Sequence, residues 1–440
     1  MLCGSVQAAE FKVGVSRVAI TPQSPIWMQG YAARTHPSEG VVHDLWAKAL
    51  AMDDGAGGRV VIVSTDLIGL PREVSEEVAS RVAKKHGLSR SQLVLNSSHT
   101  HCGPEVWPGL PVMFDFTPAD VQVSAAYSRK LTDDLVKIVD AALANMQPAQ
   151  AAVAHGCVGF GANRRQIVPQ GVQFGENRKG PSDHDVPVVK ITGPDGKLRA
   201  VLFGYACHCT TLGGDFYRFN GDYAGFAQIE LEKAYPGATA MFLALCGADQ
   251  NPAPRGKLEM AAEHGKAMAK EICRVMGGQF RPVRPPIRTA YQVAELKFAP
   301  HERRTFEEQA KGPNPYQKRR AKLMLAAYDA GPPPLAVAYP VQAVRWNDDL
   351  ALVALGGEVV VDYPLRLKRE FPKENLIVAG YSNDVMCYIP SLRVLKEGGY
   401  ESVDSMIYYG QPGPLAESVE QTVIAACRRV LKCTGAKISP

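Results

Sequence analysis

The stretch Arg59-Val60-Val61-Ile62-Val63-Ser64, the run from Glu73 to His86, and Gln92-Leu93-Val94-Leu95-Asn96 together decide the fold class of this chain. The first is apolar and β-branched, as a buried strand is. The second carries Val74, Val78 and Val82 at helical spacing and stops at Gly87. The third is apolar again. Strand, helix, strand in that order predicts a parallel pair joined by a crossover helix. The pattern then spreads along the chain. Thr117-Pro118 opens a long helix through Tyr127, Leu131, Leu135, Ile138 and Val139. Residues 198–206, 239–245, 350–355 and 376–379 read as strands, and 223–234, 258–276 and 415–431 as helices. The expectation is an α/β fold of mixed sheets flanked by helices.

Ligands in open α/β sheets bind outside the carboxyl ends of strands, and here those ends are chemically loaded. The Gln92 strand runs into Ser97-Ser98-His99-Thr100-His101-Cys102-Gly103-Pro104. If the strand persists, His99 and His101 share a face. The strand at 198 runs into Cys207-His208-Cys209-Thr210, and the strand at 239 into Cys246-Gly247-Ala248-Asp249-Gln250-Asn251-Pro252. The strand at 350 meets Gly356-Gly357-Glu358, and the strand at 376 meets Ser382-Asn383-Asp384 and then Cys387-Tyr388. Asp66 ends the first strand. Two or three histidines with one glutamate match the donor set of catalytic zinc, which keeps one position open for water. Each also has a plainer reading. The histidines can be buried and bonded to backbone, Asp222 reads as a helix N-cap, and Glu358 as a carboxylate opening a helix.

Composition narrows the classes. Of 440 residues, 46% are hydrophobic and 21% charged, which suits a protein with a sizeable core. The formal charge is +5 and scattered, so no nucleic-acid partner is expected. The basic stretch from Arg303-Arg304 to Lys318-Arg319-Arg320 is interleaved with Glu302, Glu307 and Glu308 and reads as a solvated helix and loop. No apolar run approaches the roughly 20 residues that span a bilayer, so no transmembrane segment is expected. Residues 1–10 read as a residual signal or export tail, with Val6-Gln7-Ala8 as a small-x-small cleavage pattern. The expected location is secreted or periplasmic, with cytoplasmic as the alternative. Residues 11–435 are expected to form one catalytic domain, carrying a helical, Pro-rich insertion near 301–334. Among the ten cysteines, Cys427 and Cys433 are placed to bridge, and those beside the polar candidates read as small core residues.

At this point the residues resemble the neutral ceramidase family, the neutral/alkaline non-lysosomal ceramidases. The match covers most of the chain in scattered blocks. These are Val13-Gly14-Val15 to Ile20-Thr21-Pro22, Met28-Gln29-Gly30-Tyr31-Ala32, Val42-His43 with Ala47-Lys48-Ala49, and Asn163-Arg164. His208 with Gly221-Asp222-Tyr223-Ala224-Gly225, Gly357-Glu358 and Tyr388 complete them. The most specific block, Ser98-His99-Thr100-His101-Cys102-Gly103-Pro104, is similar to the family's THTHxGP motif. The resemblance implies a neutral-ceramidase-like catalytic domain and one Zn²⁺ per chain, held by His99, His208, Glu358 and Tyr388. It implies His101 and Arg164 beside the scissile amide. The implied activity is hydrolysis of an N-acyl bond in a small-molecule or lipid-like substrate.

This chain departs from the family at two places. Gly247-Ala248-Asp249-Gln250-Asn251-Pro252 stands where the family has Gly-Asp-Val-Ser-Pro-Asn, so metal-activated water rather than a serine is the expected nucleophile. Asp249 and Gln250 are then expected to position substrate or to orient a ligand histidine. No C-terminal immunoglobulin-like domain is expected after the last helix. The expectation is a zinc-dependent amidohydrolase. One alternative is a zinc deacylase or esterase acting on N-acyl or O-acyl groups of a carbohydrate or other polar conjugate. The other is an inactive secreted binding protein.

Overall fold

Strands Arg59–Thr65 and Leu93–Ser97 pair in parallel across helix Arg72–His86, as their sequences predict. They are seen in a computed structural model that describes residues 11–437; the expected export tail at 1–10 lies outside the described residues. Both strands belong to a nine-stranded mixed sheet. From one end its order is Thr239–Ala244, Leu198–Tyr205, Asp185–Thr192, Gln147–Cys157, Phe11–Ala19, Trp46–Asp53, Arg59–Thr65 and Leu93–Ser97, with Arg281–Val283 added beside Gln147–Cys157. Only the two end pairs are parallel. A second, four-stranded sheet runs Ile287–Lys297, Ala336–Trp346, Leu350–Leu355, Leu376–Ala379.

The layers follow from which face each strand buries. Val94, Leu243, Val344, Leu352 and Ile377 share one core, so the two sheets pack face to face. The outer face of the large sheet packs on helices Arg72–His86 and Pro118–Ala144 at one end. At the other end it packs on Asp222–Ala234 and Leu258–Met276. The outer face of the small sheet packs on Val419–Cys433. The result is an α/β fold of mixed sheets between helical layers. Among the described residues no helix is long and apolar enough to cross a membrane.

One side chain brings the ends of the large sheet together. Asn96, fully buried, donates its amide to the carbonyl of Ala244 (3.3 Å) and accepts the N–H of the same residue (3.0 Å). The same amide donates to Gly380 O (2.8 Å), tying in the small sheet. Three strand ends from distant parts of the chain therefore converge on one point.

Several local expectations need correction. The last helix starts at Val419, not at 415, because Leu415 and Ala416 are held by the end of strand Ile287–Lys297 through Phe298 and Lys297. Glu358 opens a two-residue strand, Glu358–Val359, and the helix begins only at Asp362. Asp222 is not an N-cap but the first helical residue. It has φ +51°, and its carboxylate accepts from Thr211 Oγ1 (2.6 Å) and the Tyr223 N–H (2.6 Å). Cys427 and Cys433 do not bridge. They lie six residues apart on one helix, hence on different sides of it, one buried and one exposed, and all nine described cysteines are free thiols.

The insertion is two helices, Arg303–Lys311 and Pro315–Ala330, the second capped by Asn314. They enclose a small core of Phe306, Ala321 and Met324. The basic stretch is solvated as expected, with exposed pairs Arg303–Glu307 and Arg304–Glu308 one helical turn apart. The insertion also docks. Tyr316 donates to Ala32 O (3.0 Å) and Arg319 to Val112 O (2.8 Å).

Candidate metal centre

Strand extensions lay the site out. Strand Leu93–Ser97 ends before the histidines, so alternation along a regular strand is not what aligns them. His99 instead has φ +63°, a left-handed kink that a non-glycine residue rarely adopts. Beyond the kink Thr100 bridges to Cys209, and the N–H of His101 donates to Cys209 O (3.3 Å). The N–H of His208 donates in turn to Gln250 O (3.0 Å), and that of Arg164 to Asp249 O (2.8 Å). Beyond the strand ends of the small sheet, Glu358 and Tyr388 stand opposite each other in a separate, parallel two-stranded pair.

These steps bring four expected residues around His99. His99 Nδ1 donates to Ile68 O (2.6 Å) and His208 Nδ1 to Gly247 O (3.0 Å). Each bond spends the ring's one N–H, so the Nε2 of each histidine presents a lone pair. Glu358 Oε2 lies 3.1 Å from Nε2 of His99 and 3.0 Å from Nε2 of His208, and no hydrogen-bond donor serves it. His208 Nε2 is 3.2 Å from the Tyr388 hydroxyl, and His99 Nε2 is 3.2 Å from His101 Nε2. Ring nitrogens of His99, His101 and His208 all lie within 4.8 Å of one another.

The electrostatics agree. Burial, reinforced by Arg164, pushes His208 down to about 3. Burial, then His99 and His208, holds His101 well below the usual histidine range. Both rings are therefore neutral at pH 7. A buried carboxylate facing two imidazole lone pairs lacks a cation, and nitrogen and oxygen donors in this number suit zinc. The residues present thus fit the implied metal.

His101 differs from the two anchored histidines. Its Nδ1 has no partner, and it lines a cavity of about 700 Å³ together with Tyr388 and Arg164. Gly30, at φ +107°, makes room for it: a Cβ there would lie 2.4 Å from His101 Nδ1. His99, His208 and Glu358 sit one layer further in. Arg164 donates to the Tyr388 hydroxyl (2.9 Å) and to Asn251 Oδ1 (3.2 Å). Its other side is clamped by Glu401, which also binds Arg165 (2.8 and 2.6 Å). Tyr31, Phe174, Tyr316, Tyr400 and Tyr408 form aromatic walls, and Asn163, Thr210, Asn251 and Arg255 a polar side.

Asp249 and Gln250 do not line that cavity. Asp249 accepts from Asn163 Nδ2 (3.0 Å) and the Val361 N–H (2.9 Å), and burial raises its carboxyl to about 6. Gln250 donates its amide to Ala206 O and accepts the Asp183 N–H (3.3 Å). The main-chain carbonyls of Asp249 and Gln250 accept the N–H groups of Arg164 and His208 respectively. The other loaded strand ends are structural. Asp66 accepts from Trp46 and Gln228, and Asp384 pairs with Arg72. Reading the sequence did not single out Asn251 as a cavity residue, nor Tyr400, Glu401 and Tyr409. The only cues were the polar run after Gly247, the adjacent Arg164-Arg165 with no nearby acid, and the crowding of tyrosines after residue 399.

A mixed α/β fold with histidines and a glutamate at converging strand ends forms a group that could hold a metal ion, and comparison with known proteins narrows the class. Residues 11–254 match the model of the family described as neutral/alkaline non-lysosomal ceramidase, N-terminal, and the chain belongs to that family. It is 26% identical over 222 residues to neutral ceramidase of Mycobacterium tuberculosis, covering 48% of this chain and 34% of the relative. With neutral ceramidase of Drosophila pseudoobscura pseudoobscura it shares 24% over 267 residues, 56% of this chain and 36% of the relative. The matched region thus spans about a third of the length of these curated relatives. Its fold matches the crystal structure of neutral ceramidase from Pseudomonas aeruginosa with a TM-score of 0.72 at 18% identity, over 98% of this chain and 77% of that one.

Proposed function

We propose that this chain is a zinc-dependent hydrolase that cleaves an N-acyl amide bond with activated water. The observation that carries this reading is the group of lone pairs on His99 Nε2, His208 Nε2 and Glu358 Oε2, which face one another with no proton donor for the carboxylate oxygen. Membership in the ceramidase family points the same way. His99, His208 and Glu358 would hold one Zn²⁺, with Tyr388 as fourth ligand. Bound there, zinc supplies Lewis acidity to the amide carbonyl and lowers the pKa of water toward neutrality.

The chain's own residues do the rest. His101, neutral and open to the cavity, is placed to take a proton and return it to the leaving amine. Arg164, held by Glu401 and bonded to the Tyr388 hydroxyl, would lend its positive charge to the carbonyl oxygen. No serine lies at residue 250, and the Gln250 side chain is turned away from the cavity, which supports water over a serine nucleophile. The aromatic walls suit a lipid-like acyl group. The polar side formed by Asn163, Thr210, Asn251 and Arg255 favours a second reading, deacylation of a polar conjugate. Zinc-loaded protein assayed against matched N-acyl and O-acyl lipids, sugars and amino acids separates the two. Amide cleavage abolished by chelation and restored by zinc supports the proposal, and indifference to chelation contradicts it.

A further inference from the structure

We infer that Tyr409 is a positioning residue for the metal, its hydroxyl fixing the orientation in which the Glu358 carboxylate faces the histidines. The inference rests on the zinc reading above and deepens it. Tyr409 donates its O–H to Glu358 Oε1 at 2.5 Å, the one hydrogen bond to that side chain among the described residues. Its ring lies edge-on to that of Tyr388, with centroids 6.4 Å apart and planes at 78°. It therefore touches both side chains that the two-residue ladder sets opposite each other. With Oε1 engaged, Oε2 is the oxygen left free, and it is the one near both Nε2 atoms.

Tyr409 is itself well held. It precedes Gly410, at φ +66°, in a turn closed by the Gln411 N–H on Met406 O (3.0 Å) and by the Gln411 amide on Met386 O (3.0 Å). The hydroxyl thus reaches Glu358 from a separately anchored segment. A glutamate side chain has three torsions, and the last rotates its carboxylate head. A fixed donor on one oxygen removes that freedom before the metal arrives, as partners of ligating carboxylates do.

The test is zinc affinity, measured by competition with a chromophoric chelator of known affinity. Wild type, Tyr409→Phe and Tyr400→Phe are compared. Tyr400 also packs on Tyr388, at 5.4 Å, and so controls for loss of a hydroxyl in the same aromatic cluster. Tyr409→Phe is expected to bind zinc about 10- to 100-fold more weakly, with Tyr400→Phe unchanged and all three metal-free proteins melting alike. Wild-type affinity in Tyr409→Phe overturns the inference. So does an equal loss in both variants, or a failure of Tyr409→Phe to fold, since either assigns the hydroxyl a structural role. A wild-type protein that binds no zinc overturns the zinc reading itself.

Discussion

The floor beneath the cavity, one layer in from its lining, and the wall of the cavity are built on different principles. The floor, His99 and His208, is anchored to main-chain carbonyls on strand extensions, so its geometry follows from the sheets. The wall around Arg164 is anchored by side chains: Glu401 on the guanidinium and the ring of Tyr400 from a remote segment, and the ring of Phe174 from the neighbouring strand. Anchorage of the first kind depends little on which side chains lie nearby. Anchorage of the second kind depends on every member of a buried charged network. The difference predicts that the floor governs whether metal binds, and the wall governs how well substrate is used.

Four changes sharpen or break that comparison. The largest effect is expected at His101, which lies between the two regions. His101→Ala should retain zinc yet lower kcat by about 10²- to 10⁴-fold, checked by elemental analysis beside steady-state kinetics. Glu401→Gln should strike the wall alone. Removing one partner of a buried ion pair costs about 3–5 kcal/mol, so chemical denaturation should show that loss and kinetics a raised KM, while zinc content holds. A smaller effect concerns pH. His208 sits at about 3 in the fold against 6.5 when unconstrained. Between those values the unfolded chain binds a proton that the folded chain refuses, so the metal-free protein loses stability as pH falls from 6.5 toward 3. His208→Gln should flatten that slope in denaturation curves at pH 7 and pH 5. Gln250→Ser should change turnover least. Its side chain is directed at Ala206, so the new hydroxyl should trap no acyl-enzyme in burst kinetics; a burst would place residue 250 in the wall.

The same contrast explains what was legible in the sequence. Strands such as Arg59–Thr65 and Leu350–Leu355 announce themselves, because burial on both faces demands continuous apolar runs. His99, His208 and Glu358 stood out because strand ends collect ligands. The left-handed His99 is not readable, since no local pattern compels it: the convergence is enforced by contacts of Asn96 with Ala244 and Gly380 and of Thr100 with Cys209, partners far away in sequence. Glu358, after Gly356-Gly357, reads locally as a carboxylate opening a helix. Its pairing with Tyr388 is a long-range contact that overrides the local signal. The wall was hidden for the same reason. Glu401 and Tyr409 have no pattern of their own, and Tyr316 reaches the cavity from a helix that reads as a peripheral insertion.

The central claim is that His99, His208 and Glu358 hold one zinc ion. Zinc per chain, measured by mass spectrometry on wild type and His208→Ala after chelation, zinc reloading and desalting, tests it most directly. One zinc per wild-type chain and almost none in His208→Ala is the predicted result. Full occupancy in His208→Ala, or no zinc in the wild type, would contradict it.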